Sequence, residues 1–141
     1  MANWEYRFSR IIKEIQDASL ISLQEVDQYE DYLKPELDKV GFETIIHQRS
    51  DDDGVYDGVM LGWKKDQFEY LEHMDIKFDD MFARYKMRGK EAFKKSKPGI
   101  IALLKHKETG KQIVLTNSHF EWDPKRDFVK YGQAFWLLKS I

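Results

Sequence analysis

Short apolar segments of strand length follow one another through the middle of this chain, and segments with helical periodicity flank them. Strands are predicted at residues 19–24, 42–47, 58–63, 68–75, 99–106 and 112–119, and helices at 5–17, 28–40 and 127–141. Segments this short bury their apolar sides only when they join a sheet that helices cover. The order therefore predicts an α/β fold, a mixed β-sheet with flanking helices, in a single domain over residues 1–141.

The last part of the chain carries two more specific signals. Residues 108–110, between the last two predicted strands, are typical of a hairpin turn. In the final helix, Val129, Phe135, Leu138 and Ile141 are the candidate core positions. We expect these four side chains to attach the helix to the sheet.

The composition limits the kinds of site that the chain can form. It contains no cysteine, which excludes disulfides, zinc–thiolate sites and cysteine nucleophiles. The formal net charge is −2, whereas modules that bind nucleic acid through phosphate contacts are usually basic. No apolar run approaches the roughly 20 residues that span a bilayer, and the first residues do not resemble a secretory signal. We therefore expect no membrane span and an intracellular location, cytoplasmic or organellar and not secreted.

A carboxylate directly follows the first strand. Strand alternation puts Ile21, Leu23 and Glu25 on one face, with Glu25 at the carboxyl end of the strand. Sites of α/β proteins are common at this edge of a sheet, and a carboxylate there suits Mg²⁺, which prefers oxygen ligands. For this segment alone, a strand end that turns polar where it meets solvent is the better explanation.

The strand predicted at 112–119 ends in the same way. Ile113, Leu115, Asn117 and His119 share one face, so an amide and an imidazole stand side by side at the strand end. Such a pair can hold a phosphate or orient an attacking water. A histidine with a structural partner is the commoner explanation of an isolated match.

Aromatic and charged residues outside the strands allow similar alternatives. Trp122 is flat and Pro124 is rigid, so the two can form an apolar wall against a nucleobase. The alternative is an ordinary turn before a helix, with Trp122 in the core. The segment 51–54, with its aspartates, and the basic run 86–97 are interpreted as solvated loops.

The order and spacing of these residues resemble the endonuclease/exonuclease/phosphatase superfamily, in particular its branch of carbon-catabolite-repressor deadenylases, nocturnin and Angel. The resemblance rests on Leu23-Gln24-Glu25-Val26, Asp57-Gly58, Asn117-Ser118-His119, Trp122-Asp123-Pro124, Val129-Lys130 and Gln133. It implies a two-layer β-sandwich flanked by helices, of which this chain resembles about the first half. It also implies metal-assisted hydrolysis of a phosphodiester or phosphomonoester.

The resemblance implies roles for individual residues. Glu25 matches the glutamate that holds the catalytic Mg²⁺, and His119 matches the active-site histidine at the scissile phosphate. Pro124, beside Trp122, matches a position that packs on the substrate base, and Asn117 matches the asparagine of the same strand motif. We therefore predict Glu25 and His119 as catalytic, Glu25 as the metal ligand, and Asn117, Trp122 and Pro124 as substrate-binding residues.

The chain departs from the family pattern at several positions. No strand that ends in asparagine precedes Trp4, and the later Asp-x-Asn and Asp-His motifs have no counterpart. Ser118 replaces a threonine, and residues 99–101 lack an asparagine that is usual there. About half of the family's site is present, so we expect a partial domain that is inactive alone.

Two functions are compatible with this pattern. One is a Mg²⁺-dependent 3′-5′ exoribonuclease of the deadenylase type, acting on poly(A)-like RNA and completed by residues from elsewhere. The other is a non-catalytic structural or interaction subunit of a larger assembly. Glu25, His119 and Pro124 together favour nuclease ancestry. The resemblance implies that the chain supplies mostly one layer of the sandwich, and therefore predicts an open sheet face that a second polypeptide or a larger complex covers.

Overall fold

The computed structural model describes residues 4–49, 57–78, 80 and 98–141. The chain begins with α1 (Trp4–Ile15), β1 (Leu20–Leu23), a π-helical turn (Tyr29–Leu33) that leads into α2 (Lys34–Lys39), and β2 (Phe42–Gln48). It continues with β3 (Gly58–Lys64), β4 (Phe68–Lys77), β5 (Pro98–His106), β6 (Gln112–Ser118), a 3-10 turn (Pro124–Arg126) and α3 (Asp127–Lys139). The predicted order of helices and strands is confirmed. The two loops predicted at 51–54 and 86–97 lie outside the described residues.

The described strands form two antiparallel sheets. The first has the order β1-β3-β2 and the second the order β4-β5-β6. The predicted α/β class is confirmed, with two antiparallel sheets in place of one mixed sheet. The short connection between β5 and β6 requires an antiparallel pair, because a parallel pair needs a long crossover. The predicted hairpin joins β5 to β6, and Gly110 takes a φ of 70° in its turn, which glycine adopts without steric cost.

The two sheets pack face to face, so both layers of the sandwich come from this chain. Alternation along β3 directs Val59, Leu61 and Trp63 inward, where they pack in one cluster with Ile100 and Leu104 of β5. The prediction that the chain supplies mostly one layer, with an open inner face, is therefore wrong for the described strands. Apolar alternation identifies each strand but does not tell which of two sheets the strand joins.

Helices cover the outer face of each sheet. On the first sheet, α1 and α2 bury a cluster that includes Phe8, Ile12, Leu37 and Met60. The carboxyl end of α1 and the start of β1 are joined by a short turn, which brings that helix directly onto the sheet. No helix in the described ranges is long and apolar enough to cross a membrane.

The outer face of the second sheet is covered by α3, which is apolar on two sides. Val129 is buried as predicted, and Leu137 packs with it on the sheet. In contrast, Phe135, Leu138 and Ile141 are 59%, 71% and 61% exposed, so their assignment to the core is wrong. Two apolar stripes run along this helix, and periodicity alone does not tell which of them faces the sheet.

Candidate active site

Glu25 lies just beyond β1 in a backbone conformation that is unusual for a residue with a side chain. Its φ is 54°, the single positive φ of a non-glycine residue in the described part of the chain. This left-handed conformation costs about 1 kcal/mol and persists only where neighbouring contacts impose it. The N–H of Val26 donates to the carbonyl of Gly58 at 3.1 Å, which ties the chain after Glu25 to the start of β3. Because β1 ends at Leu23, this turn, and not strand alternation, places the carboxylate.

Asn117 joins the second sheet to the first. It is 5% exposed. Its Nδ2 donates to the carbonyl of Leu23 at 2.7 Å and to the carbonyl of Met60 at 2.9 Å. Its Oδ1 accepts a hydrogen bond from Nε2 of Gln24 at 2.6 Å. Both amide hydrogens of Asn117 are therefore used inside the protein. Its oxygen is bonded to Gln24, a residue for which the sequence alone indicated no separate role.

His119 follows β6 and lies beside Glu25. Its Nε2 is 3.8 Å from Oε1 of Glu25. The side chains of His119 and Glu25 are 31% and 70% exposed, so a ligand from solvent can reach both. The structure thus brings together the two residues that were predicted as catalytic, although they are far apart in the sequence.

Trp122 and Pro124 lie on the loop between β6 and α3. Trp122 is 75% exposed, so the alternative that places it in the core is wrong. Pro124 is exposed too and begins the 3-10 turn. Asp123 caps this turn, since its Oδ1 accepts a hydrogen bond from the N–H of Lys125 at 2.9 Å. An accessible indole is a surface on which a base can stack.

A buried glutamine holds this loop against α3. The N–H of Glu121 donates to Oε1 of Gln133 at 2.8 Å, and Gln133 is 3% exposed. Arg126 adds two ion pairs, at 3.6 Å to the carboxylate of Glu121 and 3.7 Å to that of Asp123. Gln133 was part of the resemblance, but its partner could not be predicted because the bond joins a side chain to a backbone group twelve residues away.

The donor atoms of the site match part of what Mg²⁺ requires. Glu25 supplies a carboxylate oxygen, the type of ligand that Mg²⁺ prefers. Among the described residues, no group of three or more histidine, cysteine, aspartate or glutamate side chains is arranged to hold a metal ion. Mg²⁺ keeps several waters in proteins, so one carboxylate fits one coordination position and leaves the others to water or other groups.

A groove of about 330 Å³ opens next to Glu25, between α1 and the segment that follows β1. Apolar side chains of Phe8, Ile11 and Leu33 form part of its wall, and Gln24 lines it beside Glu25. The carboxylate therefore stands at the rim of a concave surface, as expected for a ligand-binding position.

Comparisons with known proteins identify several that are similar to this chain in sequence or in structure. No family model matches it. The CCR4-Not complex 3′-5′-exoribonuclease subunit Ccr4 of Yarrowia lipolytica is 28% identical over 156 residues, which cover 98% of this chain and 22% of that protein. The Ccr4 subunit of Saccharomyces cerevisiae is 29% identical over 156 residues, covering 99% of this chain and 19% of that protein. The chain thus spans about a fifth of the length of the curated relatives it matches.

Several solved structures have a fold similar to that of this chain. The crystal structure of ANGEL2, a 2′,3′-cyclic phosphatase, matches with a TM-score of 0.77 and 26% identity over 94% of this chain and 37% of that chain. An endonuclease/exonuclease/phosphatase from Bacteroides vulgatus matches in fold with a TM-score of 0.75 and 22% identity, over 99% of this chain and 52% of that chain. In sequence and in fold, the chain therefore resembles proteins of the endonuclease/exonuclease/phosphatase superfamily.

Within this superfamily, the chain is similar to Ccr4 in sequence, to ANGEL2 in sequence and fold, and to nocturnin in fold. The catalytic domain of human Nocturnin has the same fold, with a TM-score of 0.68 and 22% identity over 86% of this chain and 45% of that chain. The predicted resemblance, the partial β-sandwich and the nuclease-family ancestry are confirmed.

Proposed function

We propose that this chain contributes part of a Mg²⁺-dependent phosphodiesterase site of the 3′-5′ exoribonuclease type. Glu25 holds the metal, and His119 faces the scissile phosphate. The observation that carries the proposal is the approach of His119 Nε2 to within 3.8 Å of Glu25 Oε1, at the joined ends of two strands from different sheets. When bound, Mg²⁺ would neutralise charge on the phosphate. The imidazole of His119 can donate a hydrogen bond to a phosphate oxygen at the same place.

Poly(A)-like RNA is the substrate that fits the remaining residues of the site. The exposed rings of Trp122 and Pro124 offer apolar surfaces to an unstacked base. Relatives named as 3′-5′ exoribonuclease subunits of the CCR4-Not complex support this substrate class. An intracellular location, as predicted from the sequence, is part of the same proposal.

We expect Mg²⁺ to bind this chain weakly, because a lone carboxylate leaves most coordination positions to water. Glu25→Gln should lower the affinity by about tenfold or more, since the amide keeps the shape and loses the charge. Titration calorimetry on the parent chain and on this variant measures the difference. Glu72→Gln, the same change at an exposed carboxylate of β4, is the control. Tight binding that Glu25→Gln leaves unchanged would exclude Glu25 as the ligand.

The positive φ of Glu25 gives a second, metal-independent expectation. Glu25→Gly should be more stable than Glu25→Ala by about 1 kcal/mol, because only glycine takes the left-handed conformation without a Cβ clash. At Ser22, an exposed residue within β1, the order should reverse, since glycine weakens a strand. Urea unfolding of the four variants measures both differences, and the same order at the two positions would contradict the left-handed assignment.

The purified chain should not shorten a poly(A) oligonucleotide at a measurable rate. Residues that act as one catalytic unit lose activity together when some are absent, and the described residues present only Glu25 and His119. Incubation with labelled RNA and Mg²⁺, with and without EDTA, is the assay. Shortening that EDTA stops would show that another group, such as Asp27 or Asp57, completes the site within this chain.

A second candidate function, an interaction subunit of a larger assembly, is favoured by the outer side of α3. Large apolar side chains are exposed along it by 51% to 76%: Phe128, Tyr131, Phe135, Leu138 and Ile141. A helix with large apolar side chains on its outer side as well as on its inner side is typical of a position that other elements cover on both sides. We therefore propose that a second polypeptide covers this side of α3, in the enzyme as in a non-catalytic subunit.

Size-exclusion chromatography with light scattering tests whether a partner covers the outer side of α3. The chain alone should self-associate, and the double substitution Tyr131→Glu and Leu138→Glu should make it monomeric by removing the apolar patch. Tyr6→Glu, at an exposed position of α1, is the matched control and should not change the mass. A parent chain that is a stable monomer and unfolds cooperatively would argue against a covering partner.

A further inference from the structure

We infer that Gln24 and Asn117 form a positioning pair that sets the separation of Glu25 and His119. The inference rests on the proposed function of Glu25 and His119 as metal and phosphate ligands. Neither Gln24 nor Asn117 needs to touch the substrate in this role. Asn117, predicted from the sequence to bind substrate, would act through the residues it holds.

The orientation of the Asn117 carboxamide is fixed by its surroundings. Its Nδ2 lies at 2.7 Å from the carbonyl oxygen of Leu23 and at 2.9 Å from that of Met60. These two oxygens only accept hydrogen bonds, so a rotated carboxamide would bring oxygen against oxygen. Oδ1 must therefore face the other way, where it accepts from Nε2 of Gln24 at 2.6 Å.

These bonds hold the chain before Glu25, and a third holds the chain after it. Gln24 is the residue immediately before Glu25, and its exposed side chain is anchored on buried Asn117. On the other side, the N–H of Val26 is bonded to the carbonyl of Gly58 at 3.1 Å. Glu25 stands between these two anchors with its φ of 54°, a conformation that persists when neighbouring contacts determine it.

The side chain of Asn117 also fixes the position of His119. Asn117 lies in β6, two residues before His119, and Ser118 between them donates from Oγ to the carbonyl of Pro98 at 3.3 Å. The last residues of β6 are thus held by the second sheet, while the carboxamide of Asn117 is bonded to the first. Asn117 therefore connects the two strand ends that carry Glu25 and His119.

A merely structural role and a positioning role predict different results for Gln24. Its loss leaves Oδ1 of buried Asn117 without this donor, so some loss of stability, with cooperative unfolding retained, is expected in either case. If Gln24 positions Glu25, however, its loss should change the site itself. Partners that orient a metal ligand typically alter metal affinity by about 10-fold to 100-fold when they are removed.

The test is Gln24→Met in the 141-residue chain, with Mn²⁺ as the probe and NMR as the readout. Methionine keeps the length of the side chain and removes the hydrogen bond. We expect about tenfold more Mn²⁺ for half-maximal broadening of the signals of Glu25 and His119. Without metal, we expect the NOE between these two side chains and the strong intraresidue amide–Hα NOE of left-handed Glu25 to weaken. Gln48→Met, the same change at the exposed end of β2, should alter none of these signals.

The outcomes separate this inference from the proposed function. Unchanged NOEs and an unchanged Mn²⁺ titration in Gln24→Met would overturn the positioning pair. Loss of cooperative unfolding in that variant would overturn it as well, because the residue would then be structural. If Glu25→Gln leaves the Mn²⁺ titration unchanged, the proposed metal site fails, whereas the NOEs still test the pair because they need no metal.

Discussion

Replacing Trp63 with alanine is expected to lower the free energy of unfolding by about 3–5 kcal/mol. Trp63 is fully buried between the two sheets, and its ring stacks on Tyr70 with the centroids 5.6 Å apart. Its Nε1 also donates to Oε2 of the facing Glu43 at 3.2 Å. The substitution removes both the stacking on Tyr70 and the hydrogen bond to Glu43. It leaves a cavity that the surrounding strands fill only in part.

Trp122→Ala is the matched control for this experiment. It makes the same chemical change at a side chain that is 75% exposed, so its effect on stability should stay within about 0.5 kcal/mol. Urea unfolding monitored by circular dichroism measures both variants. Equal losses of stability, or a small loss for Trp63→Ala, would contradict the face-to-face packing of the two sheets.

Asn117→Leu is expected to lower the free energy of unfolding by about 2–5 kcal/mol. Leucine has a similar size but no donor, so the carbonyls of Leu23 and Met60 lose their bonds to Nδ2 of Asn117 at a buried position. Each polar group that is left buried without a partner costs about 1–3 kcal/mol. A total stability of about 5–15 kcal/mol is usual for a domain, so this variant should unfold at a clearly lower urea concentration.

Ser118→Ala is the control for Asn117→Leu. It removes the neighbouring hydrogen bond to Pro98, which is longer at 3.3 Å and only partly buried, and should cost less than about 1 kcal/mol. The two variants are compared by the same urea unfolding experiment. If Asn117→Leu costs no more than Ser118→Ala, the carboxamide does not bridge the two sheets.

The sequence alone determined the strands, the hairpin and the resemblance to the superfamily. The strand predictions depend on alternation and turn residues, which act within a few positions of the chain. Val59, Leu61 and Trp63 therefore identify β3 as a strand without knowledge of the rest of the protein, although both of its faces are buried in the fold. The family follows from the order of short motifs around Glu25 and His119, each of which is ambiguous alone.

Only the tertiary structure decided how these parts are joined. The sheet that a strand enters depends on partners that lie far away in the sequence, so one mixed sheet and two antiparallel sheets were not distinguished. The side of α3 that faces the sheet is decided by contacts with distant segments: Val129 and Leu137 pack on the sheet, and the buried amide of Gln133 bonds to the backbone of Glu121. The left-handed turn at Glu25 is set in the same way, by bonds that Asn117 and Gly58 make across the fold. A local sequence pattern indicates which residues prefer burial. A hydrogen bond between distant segments forms only when the sheets pack, so no local pattern predicts it.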